Sequence, residues 1–167
     1  MTHEWLIYLC LFLSLWSAVI GGVFSAFSEF VMAGLLRAKP AGGIESMQHI
    51  NRTVIRTQFV AGILIIPPVS IGLAIFAWTS LEGFPVLALC LASLVYVTSV
   101  FLMTIFGNVP MNNRLDSLEP NAPEAEAYWS QYGRRWTRLN HVRTVGSVVT
   151  AIVYMSAAIC LLSLGPA

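Results

Sequence analysis

Charged residues are scarce in this chain of 167: they make up 10% of it, against 57% hydrophobic residues, and the formal net charge is +1. So low a charged fraction excludes a water-soluble domain of ordinary composition, and a near-neutral balance offers nothing to nucleic acid. Cysteine is equally sparse. Cys10, Cys90 and Cys160 stand singly inside apolar runs, without the paired spacing of a zinc or disulfide framework. They read as small buried apolar residues. All three fall toward one end of the bilayer, so a disulfide between two of them stays open. Histidine occurs only at His3, His49 and His141, and no Glu-x-x-His, His-x-x-x-His or Cys-x-x-Cys-His spacing is present. No cofactor or metal is expected on that ground, although haem or a metal held through His49, His141 or Glu29 stays open. The amino terminus has no basic leader, and its apolar run continues too far for a cleavable signal core, which predicts a retained first helix.

Long apolar runs are what the chain has in abundance. Spans are expected at about 5–36, 59–79, 84–106 and 140–164, each long enough to cross a hydrocarbon core of roughly 30 Å. The expected fold class is all-α: an integral membrane four-helix bundle with two short amphipathic interfacial helices, the whole chain forming one transmembrane domain over 1–167. Gly21, Gly22, Ser25, Ala26 and Ser28 in the first run allow a neighbouring helix to approach closely. Pro40 to Gly43 break the pattern, and Ile44, Met47, Ile50 and Val54 then share one face of a short amphipathic helix. Pro67-Pro68 predict a kink in the second span. Thr98, Ser99 and Thr104 in the third are expected to bond back to their own helix. Gly107 and Pro110 are expected to end that span. Tyr128, Trp129, Tyr132 and Trp136, interleaved with Arg134, Arg135 and Arg138, predict a second amphipathic helix in the headgroup layer.

With four spans, all nine basic residues fall on the side of the first and third loops. The excess predicts those loops in the cytoplasm of a multi-pass inner-membrane protein, with both termini outside. Membrane lipids are the expected surroundings, and a homo-oligomer is compatible with the sequence.

The polar residues gather at that same end. Glu29, Asn51 with Arg52, Asn108 with Asn112, Trp136, and Asn140 with His141 and Arg143 come from different segments, yet the topology brings them to one mouth of the bundle. Polar groups at membrane depth are expensive, and a pocket for an apolar small molecule, built on facing helices, is the reading preferred over a merely structural network. In it His141 is the candidate base and Arg143 the candidate stabiliser of a developing oxyanion. The two are two positions apart and do not share a helix face. Glu29, Asn51, Arg52, Asn108, Asn112, Trp136 and Asn140 complete the expected binding set. A non-catalytic protein that binds a lipid or a partner through the same cluster is the rival reading.

Gly22-Val-Phe-Ser-Ala-Phe-Ser-Glu-Phe-Val-Met, Gly43-Ile-Glu-Ser-Met-Gln-His-Ile-Asn-Arg, Asn108-Val-Pro-Met-Asn, and Trp129-Ser-Gln-Tyr with Trp136-Thr-Arg-Leu-Asn-His-Val-Arg-Thr span nearly the whole chain. On these stretches the protein resembles the small four-helix membrane proteins of the anthrone oxygenase-like family. The resemblance implies a cofactor-independent oxygenase that removes a proton from an electron-rich aromatic substrate and lets the carbanion react with dioxygen. His141 would then be the base, with Asn51, Arg52, Asn108, Asn112, Asn140 and Arg143 in the pocket. The sequence departs from the family where proline often replaces Ala33 or Gly34 and where a small residue often replaces His49.

Overall fold

The computed structural model describes residues 4–164; His3 lies outside the described residues. Among these there are five helices and no strand. They are α1 (Glu4–Arg37), α2 (Pro40–Val54), α3 (Gln58–Ser80), α4 (Phe84–Asp116) and α5 (Pro123–Ser163). All but α2 are long and apolar enough to cross a membrane, so this is a multi-pass membrane protein. The outward faces carry residues such as Tyr8, Phe12, Leu15, Ile65, Ile75, Leu87, Leu94, Ile152 and Ile159, all exposed. An apolar exterior of this kind is matched to lipid and not to water.

The bundle is organised on α5, which packs most extensively along α1 and then along α4, while α3 leans chiefly on α4. Small residues set these approaches. A Cβ on Gly146 would lie 2.0 Å from Ser99 Oγ and 2.8 Å from Ser99 Cβ, so only glycine lets α5 meet α4 at this depth. Gly21 faces Ser147 in the same way, at 3.1 Å from its Cβ. Leu6, Cys10, Leu13, Ile20, Leu89, Tyr96, Tyr154 and Ala157 form the core of the membrane part. Cys10, Cys90 and Cys160 are all free thiols.

Three expectations change. First, the aromatic segment at Tyr128 is no separate interfacial helix: α5 runs unbroken for 41 residues. At about 1.5 Å per residue it is roughly twice as long as a 30 Å core is thick. Gly133, the one helix-weakening residue there, serves close packing, since a Cβ on it would sit 2.7 Å from Leu36 Cδ2. Second, the aromatics do not face headgroups. Tyr128, Trp129, Tyr132 and Trp136 are buried with Met32, Ile44, Met47, Met111 and Leu115 in a second core that caps the bundle beneath α2. Trp129 stacks on Tyr132 at 5.5 Å between centroids, leaving Arg134, Arg135 and Arg138 exposed. The apolar face of α2 closes this cap, and Gln48 ties it to the end of α4 by donating to the Leu115 and Leu118 carbonyls at 2.9 and 2.8 Å.

Third, α4 does not stop at Gly107. It passes through π-helical turns at Val97–Leu102 and Thr104–Asn108 and resumes as α-helix over Val109–Asp116. Pro110 stands in the first turn after the π stretch and donates no backbone hydrogen bond there. Helix α3 likewise runs through Pro67 and Pro68 without interruption. Thr98, Ser99 and Thr104 do bond back, to the carbonyls of Leu94, Val95 and Val100.

Candidate active site

Helices α3 and α4 pack together over the far half of the bundle and along the first π turn of α4. Between them, under α2 and beside α1 and α5, lies a cavity of about 260 Å³. Its wall is largely apolar, with Phe24, Phe27, Met47, Phe59, Ile63 and Val109 prominent. Asn51, Thr104, Asn112, Asn140 and Arg143 supply polar groups, and Arg52, Asn113 and Asp116 stand toward the rim. Its volume is just below the usual range of small-molecule sites, and its few polar groups in an apolar wall are typical of them.

Arg143 dominates the wall. It is 5% exposed, and its guanidinium lies over the Phe24 ring at 4.2 Å and near the Trp136 ring at 5.4 Å, a cation held between two aromatic faces. One terminal nitrogen donates to Asn140 Oδ1 and the other reaches Thr104 Oγ1 at 3.4 Å. Its Nε has no hydrogen-bond partner among the described residues. Asn140 is fully buried and fixes this arrangement, because its amide nitrogen donates both to the Phe24 carbonyl and to Ser28 Oγ, which turns Oδ1 toward Arg143. A three-residue step on α5 puts Asn140 and Arg143 on one face.

The neighbouring elements depart from regular α-helix where they meet this pair. Ser28 belongs to the π-helical turn Phe27–Val31 of α1, and Thr104 and Asn108 to the second π turn of α4. A π turn shifts side chains out of α-helical register and is frequent at functional sites. No periodicity argument would have found these turns, so Phe24, Ser28 and Thr104 were legible as small or apolar residues but not as parts of the site.

The expected binding residues divide. Asn112, Asn140, Arg143, Trp136, Asn51 and Arg52 come to the cavity. Asn112 Oδ1 accepts from Tyr132 Oη at 2.9 Å and from Trp136 Nε1 at 3.0 Å, which anchors the aromatic wall. The Asn51 amide stands beside Tyr132, with its Nδ2 left without a completed hydrogen bond. Arg52 pairs with Asp116 at 2.8 Å, both partners remaining well exposed. Asn108 is buried behind the wall and donates to the Trp136 carbonyl at 3.4 Å. Two more expected residues do not reach the cavity: His141 is exposed on the outer side of α5, and Glu29 is exposed on α1, accepting from Ser25 Oγ at 2.6 Å. For His141 the reason is the helix itself, since a step of two residues from Arg143 turns the side chain about 200° away. His49 is also exposed. Among the described residues no three His, Cys, Asp or Glu side chains are grouped as a metal site would need.

Fold and site together define a multi-pass membrane protein with an arginine-walled apolar chamber near one end of its helices. The family model described as Anthrone oxygenase matches residues 54–153, and the chain belongs to that family. The match takes in Thr104, Asn112, Trp136, Asn140 and Arg143 but not the α1 residues that hold Asn140. No curated relative and no solved structure matches the chain.

Proposed function

We propose that this protein is a membrane-embedded oxygenase that oxidises an apolar aromatic substrate of anthrone or hydroquinone type within the α3–α4 chamber. The observation that carries the reading is Arg143: a buried guanidinium, sandwiched by aromatic rings and with its Nε free, on the wall of an otherwise apolar cavity. Phe24, Phe27 and Trp136 offer faces and edges to a planar ring system, while Arg143 holds the oxygen on which negative charge collects.

For an anthrone the chemistry balances without an external reductant. The methylene carbon between the two rings loses a proton, and the resulting enolate carries its charge on the oxygen held by Arg143. Its carbon then gives electrons to dioxygen and forms a C–O bond. The peroxide, protonated, loses the second hydrogen as water, so that one oxygen atom becomes the new carbonyl and the other leaves in water. Among the described residues the chamber wall contains one carboxylate, Asp116, and no histidine. Asp116 is therefore the proton acceptor in this reading, in the role the sequence suggested for His141. Arg52, paired with it, connects the proton to water at the rim. The apolar wall keeps the carbanion from being reprotonated before oxygen reaches it.

All nine basic residues lie at or beyond the cavity end of the spans, so the rim opens to the cytoplasm and the Glu82 turn lies outside. Oxygen uptake by the purified protein in nanodiscs, with an anthrone and with a hydroquinone, tests the proposal. Turnover that Arg143→Met abolishes is the expected result. Absence of turnover with either substrate, together with a lipid that co-purifies in the chamber, would favour a binding protein instead.

A further inference from the structure

Among the described residues the charge on Arg143 has no counterpart. Among the described residues the one ion pair is Arg52 with Asp116, so the arginine that water already solvates has a carboxylate while the buried one has none. Glu29, the acidic residue of α1 nearest in sequence to the site, is exposed and bound to Ser25. Arg143 instead receives one amide oxygen, one hydroxyl at 3.4 Å and two aromatic faces. A guanidinium has five N–H donors, and Nε is among those left without an acceptor. Aromatic faces and neutral oxygens offset only part of the loss of hydration, and a buried ion without a partner is among the costlier features a fold can hold.

The geometry points to a ligand that supplies the missing charge: the chamber takes a planar aromatic compound that is already an anion when it binds, through a carboxylate or other acidic substituent that shares the Arg143 guanidinium with the oxygen on which charge collects during turnover. This inference rests on the chamber being a site for aromatic compounds, and it adds the ionisation state of the molecule that enters. An anion bound there forms charge-assisted hydrogen bonds, which are stronger than those to a neutral carbonyl. Phe24 and Trp136, which already hold the guanidinium, flank the aromatic body of the same ligand. The ligand charge also makes selectivity a property of Arg143 and not of the shape of the wall.

Equilibrium binding of anthracene-9-carboxylate and of its neutral methyl ester, measured on the full chain in phosphatidylcholine nanodiscs and corrected with empty discs, tests this. The carboxylate is expected to bind the wild-type protein at least about tenfold more tightly than the ester. Thr104→Asp places a carboxylate within reach of the guanidinium nitrogen that now faces Thr104 Oγ1, and so gives Arg143 an internal counterion. In that variant the preference for the carboxylate is expected to collapse while the ester still binds. Arg143→Met is expected to do the same, with Arg143→Lys retaining part of the preference. Equal binding of acid and ester by the wild-type protein overturns the inference and leaves the chamber as an aromatic site. Binding of neither above empty discs overturns both.

Discussion

Replacing Asn140 with leucine tests the centre of the site most directly. The side chain is fully buried and closes three bonds at once: two donated to α1, at the Phe24 carbonyl and Ser28 Oγ, and one accepted from Arg143. Leucine is similar in size, so little of the effect comes from a cavity. Interhelical bonds in membrane proteins average about 0.6 kcal/mol, because the unfolded chain in the bilayer also finds partners. A bond to a charged group contributes about 1.5–3 kcal/mol. Two of the first kind and one of the second give an expected loss of roughly 3–4 kcal/mol in unfolding free energy. Reversible unfolding in mixed micelles of a mild detergent and dodecyl sulfate reads this loss. A double-mutant cycle with Arg143→Met isolates the Asn140–Arg143 bond, and a coupling of about 1.5 kcal/mol is expected where independent sites would add within about 0.5 kcal/mol. A loss below about 1 kcal/mol, or additive single effects, would refute the claim that Asn140 is the bracket holding Arg143 to α1.

Gly146→Ala pushes a methyl into Ser99, itself bonded to the Val95 carbonyl, and is expected to cost about 1–3 kcal/mol in the same unfolding assay, whereas Gly22→Ala, with open space around it, should change little. His141→Gln is expected to leave oxygen uptake within about twofold of wild type, while Asp116→Asn lowers kcat by at least about tenfold with little change in KM, because an acid–base group acts on the rate and not on binding. Cysteines introduced at Glu82 and at Lys39 should label from opposite sides of intact membranes, the second only from the cytoplasm; labelling of both from one side would reject the four-span topology.

Much of this protein was legible in its residues. The near absence of charge over four long runs determined membrane insertion and an all-helical fold, because backbone groups in lipid must be satisfied within each span. The spacing of Ile44, Met47, Ile50 and Val54 marked the apolar face of α2, and the one-sided placement of basic residues marked the polar end. The small residues of α1 around Gly21 announced close packing, since small residues are what permit it. Asn140 and Arg143 stood out for the same reason, as polar groups where an apolar run begins.

Tertiary structure alone decided what those groups do. Linear spacing could not tell that α5 continues from the cap into the membrane, so Trp136 and its neighbours read as an interfacial belt when they are the buried core of a cap. Nor could it place the π turns of α1 and α4, which meet partners distant in sequence: Asn140 reaches the Phe24 carbonyl and Ser28 across more than a hundred residues, and Arg143 reaches Thr104 across 39. His141 and Arg143, neighbours in sequence, point to opposite sides of one helix, while Phe24 and Thr104, far apart in sequence, both touch the same guanidinium. Composition sets which residues are costly to bury. Only the packing of helix on helix determines which of them are buried, and beside what.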